Sequence, residues 1–289
     1  MANWNAWNPF GRRESHSSGS ILTYKLLTLL TWLLSVIVTI YYAIHKPMDG
    51  VTIRRRIWDQ NNLIRTAFTM SPVLGDIYWV ILFILQFGYI THLFSRTLET
   101  VNYAASVGSH FIVNNLFHFA FIMLFVRSHF IWAEVMLVIN FFNLSSLYFR
   151  HNTSPRFIHA PVVSGPLAWT FVALYWNGAM MVYHPHNLVA RIFGNIFIWA
   201  ILAYGGFFIV AYKDYTMGFW LSLLAAAIGV AQFERQIIAL QWIFAFVIMA
   251  VLFLATVTVA VPAWTGRDYL WRREAQPAGE AERAPLLHD

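Results

Sequence analysis

His110, Asn114 and His118 recur every fourth residue and so share one face of any helix that carries them. Asn115 is adjacent, and Glu134 follows in the next apolar run. Ionisable groups inside an apolar run each need a partner or a task. A hairpin turn near Arg127 and Ser128 would set Glu134 about 9 Å, and His118 about 15 Å, from that turn at 1.5 Å of rise per residue. Their side chains then come within reach of one another, and Asn140 falls near Asn115. Paired, His118 and Glu134 could move a proton or hold the polar end of an amphiphile. The competing reading is interhelical glue, worth about 0.6 kcal/mol per contact. The asparagines are read as glue first; for His118 and Glu134 both readings stay open.

The elements that must position these residues follow from composition. Of 289 residues, 59% are apolar and only 11% charged, too little charge to wet the surface of a soluble globule. Mean hydropathy is +0.57. The chain is therefore read as all-α, a polytopic transmembrane bundle of about eight helices, near 22–44, 77–95, 108–126, 130–149, 166–183, 191–212, 215–233 and 237–262. A polar tail (1–21) precedes the bundle (22–262), and a second tail (263–289) follows it. The first apolar run reads as an uncleaved signal anchor. Tyr and Trp gather near several helix ends, as at membrane interfaces. Ala225 and Gly229, with Gly205 and Gly206, offer close helix contacts. In the long connector 46–76, Ile53, Ile57 and Ile64 fit an interfacial amphipathic helix as well as a solvated link.

Several classes drop out. The net charge of +6 is scattered between apolar runs, so no nucleic-acid surface is expected. There is no cysteine, which removes thiolate chemistry and Cys-based metal centres. His184-Pro-His186 lacks a third ligand and reads as a surface loop, so neither metal nor cofactor is expected. No phosphate-binding glycine loop or hydrolase motif appears, which leans away from an enzyme.

Eight spans put both termini on one side, and that side carries the larger share of Lys and Arg, which favours cytosolic termini. Glu282 with Leu286 and Leu287 has the form of an acidic dileucine signal, which implies a clathrin-adaptor contact and an endomembrane address. Asn8-Pro9-Phe10 is a weaker adaptor-type match. Asn152-Thr153-Ser154 is a glycosylation acceptor, expected on the cytosolic side and therefore bare.

Two resemblances follow from particular segments. Asn8–His16, Ile53–Gln60 and Tyr78–Gln86 resemble a fungal family of uncharacterised multi-pass membrane proteins, which implies kinship without an activity. Pro166–Asn177, with Trp169, Ala173 and Asn177, resembles the fifth helix of the translocator protein and tryptophan-rich sensory protein family. Trp79-x2-Leu82-Phe83 is similar to that family's second helix. Asn115-x2-His118 stands where the family has Asn-x2-Trp. This resemblance covers about five helices and implies an aromatic-lined pocket for a tetrapyrrole or sterol-like ligand.

The expected function is binding or carrying a small hydrophobic molecule (sterol, lipid or tetrapyrrole) among membrane lipids. Its candidate residues are Trp79, Asn114, Asn115, His118, Glu134, Trp169 and Asn177. A trafficking scaffold is the alternative. An intramembrane lipid-modifying enzyme using His118 and Glu134 ranks third.

Overall fold

In the computed structural model, residues 18–50, 54–150, 155–185 and 187–265 are described, and their regular structure is entirely helical. Among the described residues, eight helices are long and apolar enough to cross a bilayer. They are α1 (Ser18–Ile44), α3 (Pro72–Leu93), α5 (Gly108–Phe125), α6 (Phe130–Arg150), α7 (Arg156–Met180), α8 (Leu188–Tyr212), α9 (Tyr215–Arg235) and α10 (Gln241–Thr265). Two short helices complete the order: α2 (Ile57–Leu63) and α4 (Leu98–Ser106). The protein is an all-α integral membrane bundle. The dileucine residues Glu282, Leu286 and Leu287, the Asn8–Phe10 motif, the Asn152 acceptor, Ile53 and His186 lie outside the described residues.

The helices fall into two groups. α1, α5, α6 and α7 pack in succession with α3 against them, and α8, α9 and α10 pack on one another. α9 also packs on α3 and α7 and so joins the groups. Local chemistry sets several boundaries. Pro72 opens α3 at a position that needs no amide hydrogen. Asn187 and Asp214 accept from Ala190 N and Met217 N at 3.0 Å each, capping α8 and α9. Lys213 and Gln236 close α8 and α9 in the left-handed conformation.

α7 begins ten residues before the expected 166–183 span, because a π-helical turn (Ala160–Ser164) carries the helix through two prolines. There the Gly165 amide donates to the Ala160 carbonyl, five residues back. The same register would hand the Pro161 carbonyl to Pro166, whose nitrogen has no hydrogen. Gln86 Nε2 donates to that carbonyl instead, at 3.2 Å. Tyr78 Oη donates to the neighbouring Gly165 carbonyl at 2.7 Å. Tyr78, Leu82 and Gln86 are spaced i, i+4, i+8, and a Cβ on Gly165 would sit 2.7 Å from Leu82 Cδ1. One face of α3 is thus matched to the turn.

The connector 46–76 corrects the sequence reading, which weighed an interfacial helix against a solvated link. Among its described residues before α3 the two turns of α2 are the helix that forms, and the chain then enters the protein: Thr66, Ala67, Phe68, Thr69 and Met70 are all buried. Irregular backbone at such a site needs internal partners. Gln232 Nε2 donates to the Thr66 and Ala67 carbonyls at 2.8 and 3.1 Å. Gln241 Nε2 donates to Ala67 O at 3.0 Å and Gly194 O at 3.2 Å. Asn61 holds Met70 at both its amide and its carbonyl, at 3.0 and 2.9 Å. Gly194 lies so close to Ala67 that a Cβ would collide with it. Gln232 and Gln241 are thus the anchors of this plug.

Candidate functional site

Five of the seven candidate residues converge. Trp79, Asn114, Asn115, His118 and Trp169 surround one interior space together with Ser35, Gln86, Asn140 and Thr170. They converge because α1 turns a hydroxyl stripe (Thr28, Ser35, Thr39) toward α5, whose polar face then meets α6 and α7. Asn140 Nδ2 donates to Asn114 Oδ1 at 2.9 Å, so its partner is Asn114 rather than the expected Asn115. Asn143 Nδ2 donates to the His110 carbonyl at 3.1 Å, and His110 Nδ1 lies 2.8 Å from Asn143 Oδ1.

His118 and Glu134 take separate partners. His118 Nε2 lies 2.9 Å from Thr39 Oγ1, whose hydroxyl hydrogen goes to the Ser35 carbonyl at 2.8 Å. The hydrogen in the His118 bond therefore sits on Nε2, which fixes the tautomer. The ring lies 4.3 Å from that of Trp79. Glu134 Oε2 accepts from Asn177 Nδ2 at 2.8 Å, and the same Nδ2 donates to the Phe130 carbonyl at 2.8 Å. Asn177 and Glu134 thus tie α7 to the start of α6, apart from the other five residues. The acid–base pairing read in the sequence has no contact to support it.

The aromatic residues fill the bundle instead of lining a chamber. Trp79 and Trp169 meet at 4.9 Å, Tyr78 and Trp220 at 4.9 Å, and Phe125 and Trp176 at 4.6 Å. The space left among the candidate residues is about 10 Å³. That is room for one water molecule, far below a sterol or tetrapyrrole.

A space of ligand size lies elsewhere, between the two helix groups. It is a groove of about 440 Å³ bounded by the end of α7 and the turn after it (Leu174 to Val182), α8 from Val189 to Phe197, and the plug residues Thr66 to Phe68. Its walls are aromatic: Tyr175 stacks on Phe68 at 5.2 Å, and Phe193 on Phe197 at 5.6 Å. Val182, Val189, Phe193 and Phe197 remain exposed, which leaves the groove open to its surroundings. Asn187 lies at the rim. None of the seven candidates lines it. The sequence signal that could have found it is the Phe193–Phe197 pair, one helical turn apart, together with an unusually long connector. His184 is exposed against Tyr183 at 4.4 Å, in the turn between α7 and α8.

The groups are joined at both ends. At the end that bears the start of α1, Asp214 Oδ2 accepts from Tyr148 Oη at 3.0 Å and Ser164 Oγ at 3.1 Å, with His159 Nε2 at 2.9 Å. Its Oδ1 accepts from Thr216 Oγ1 at 2.6 Å. Burial pushes this carboxyl up, but the hydrogen bond and charge of His159, then Thr216 and the Met217 amide, outweigh it and hold the group down to about 2. At the opposite end the plug makes the joint through Gln232 and Gln241, and Asp49 bridges Arg54 and Arg127 at 2.9 Å each, which pins the connector to the α5–α6 turn. Burial raises the Asp49 carboxyl, yet the two arginines bring it below its ordinary value.

Residues 191–287 match the model of a family described as "Fungal protein of unknown function (DUF1774)". The resemblance to an uncharacterised fungal family read in the sequence is thus found over this stretch, which takes in α9, α10 and most of α8. It shares no residue with the three segments that suggested it. An uncharacterized protein of Schizosaccharomyces pombe is 29% identical over 128 residues, 44% of this chain and 43% of its own length. The chain thus spans less than half of that curated relative. No solved structure matches. The resemblance to the translocator protein family rests on its sequence segments alone.

Proposed function

We propose that this integral membrane protein receives one small hydrophobic or amphiphilic molecule, a sterol or a single lipid, in the groove between its two helix groups. The observation that carries the reading is the aromatic-walled space of about 440 Å³ beside the plug. Its volume falls within the roughly 300–1,000 Å³ usual for small-molecule sites. Apolar walls suit an apolar body, and Asn187 at the rim suits a single polar end. A tetrapyrrole is less well supported, because Trp79 and Trp169 enclose only about 10 Å³.

The test is titration of a fluorescent sterol and a fluorescent fatty acid into the purified full chain in nanodiscs. One of the two should bind saturably, and Ala190→Trp, which fills the groove, should weaken it at least tenfold. Trp79→Phe, away from the groove, should leave binding unchanged. Flat titrations with both probes, or loss only in the Trp79 variant, would remove the groove from the account.

Cytosolic termini and an endomembrane address belong to the same proposal. They are supported by the Lys and Arg bias and by Glu282, Leu286 and Leu287. An endoglycosidase-sensitive glycan that Asn152→Gln abolishes would reverse the orientation.

A further inference from the structure

The small space in the first helix group is too small for a hydrophobic ligand, but its chemistry is specific. Gln86, Asn115 and Trp169 line it from α3, α5 and α7. They are 1%, 2% and 4% exposed. Gln86 Oε1, Asn115 Nδ2 and Trp169 Nε1 are each buried with no hydrogen-bond partner in the protein. Trp169 and Asn115 offer donors, and Gln86 offers an acceptor. No Asp, Glu, Lys or Arg lines it, so nothing there compensates an ion.

We propose that Gln86, Asn115 and Trp169 together hold a single buried water molecule. Water fits on three counts. The volume of about 10 Å³ is one water's worth. Two donors and one acceptor match a molecule that accepts twice and donates, and its second hydrogen has further oxygens in the lining from Ser35, Asn114 and Thr170. An uncharged solute larger than water does not fit. A buried water satisfies polar groups that hydrocarbon cannot, so the site is part of what holds α3, α5 and α7 in register. It also accounts for polar residues in the core that neither pair with one another nor reach the groove.

Nuclear magnetic resonance on the full chain in nanodiscs, with ¹⁵N-labelled tryptophan indoles, tests this. The Trp169 signal is assigned by its loss in Trp169→Phe. Its indole hydrogen should show a cross-peak to long-lived water. The Trp176 indole, which donates to Asn61 Oδ1 at 3.0 Å, should show none and serves as the internal control. Asn115→Leu should abolish the Trp169 cross-peak, and Gln86→Met gives the same readout should the leucine variant fail to fold. A Trp169 indole without a water cross-peak would overturn the proposal. So would a cross-peak of full strength in a variant that folds.

Discussion

The two helix groups solve the same packing problem with different chemistry. The first group (α1, α3, α5, α6, α7) meets through side-chain polarity: Thr39 with His118, Asn140 with Asn114, Asn177 with Glu134, and Gln86 on a proline-freed carbonyl. The second group (α8, α9, α10) meets through the absence of side chains. A Cβ on Gly205 would sit 2.7 Å from Leu252, one on Gly229 would sit 2.9 Å from Phe246, and one on Gly218 would collide with Thr256. In hydrocarbon, apolar surface gives helices no reason to prefer each other to lipid, so a contact needs either hydrogen bonds or close backbone approach. Each group relies mainly on one of these. The places where the groups join combine both, with Asp214 at one end and the buried plug under Gln232, Gln241 and Gly194 at the other. The groove opens along that same seam.

The largest effect should come from cutting a joint. Asp214→Ala removes one acceptor that five donors share and should cost about 3–5 kcal/mol, read as a lowered midpoint in thermal unfolding in detergent. Two separated unfolding transitions in that variant would show that the groups fold as units. Acid attacks the same group. Its folded pKa of about 2 lies below the ordinary carboxylate value of 3.8, so its contribution is whole above about pH 4 and is lost as pH falls from there through 2. Wild type should therefore lose roughly 2 kcal/mol across that window, and Asp214→Ala should lose much less.

Gly218→Val should cost about 1–3 kcal/mol by forcing α8 and α10 away from α9. Gly206→Val, where a Cβ meets nothing within 4 Å, should be near neutral in the same assay. Equal effects would dissolve the contrast between close contact and lipid-facing glycine. Gln232→Leu leaves the Thr66 carbonyl without its side-chain donor and should cost about 1–3 kcal/mol, with faster proteolysis near the plug. The smallest effect belongs to the polar glue. Asn140→Leu should cost only about 0.6 kcal/mol, and a loss several times larger would mean that the polar face is a site after all.

Much of the fold was legible in the sequence because hydrocarbon imposes a length and a polarity on every span. The ends of α5, α6, α8 and α9 fall within three residues of the expected ones. Two departures have identifiable causes. α7 starts early because Gln86 and Tyr78, some eighty residues away, stabilise a π turn that prolines would otherwise break. The plug reads as a connector because its polar partners, Gln232 and Gln241, lie about 170 residues downstream. The polar cluster around His118 was correctly placed on one face, but spacing along a helix does not report the room left between helices. Aromatic side chains from α3, α7 and α9 occupy that room. The groove stayed hidden because it forms between α7 and α8 only once Thr66 to Phe68 supply its floor.

Photo-crosslinking in native membranes reads out whether a hydrophobic molecule enters between the helix groups. A photoactivatable sterol and a photoactivatable fatty acid, each competed with excess unlabelled compound, would be mapped by mass spectrometry. Occupancy of the groove leaves competed adducts on Tyr175, Phe193 or Phe197 for one probe. Adducts confined to the outward faces of α1 and α10 and indifferent to competitor would contradict it, because those helices meet any lipid.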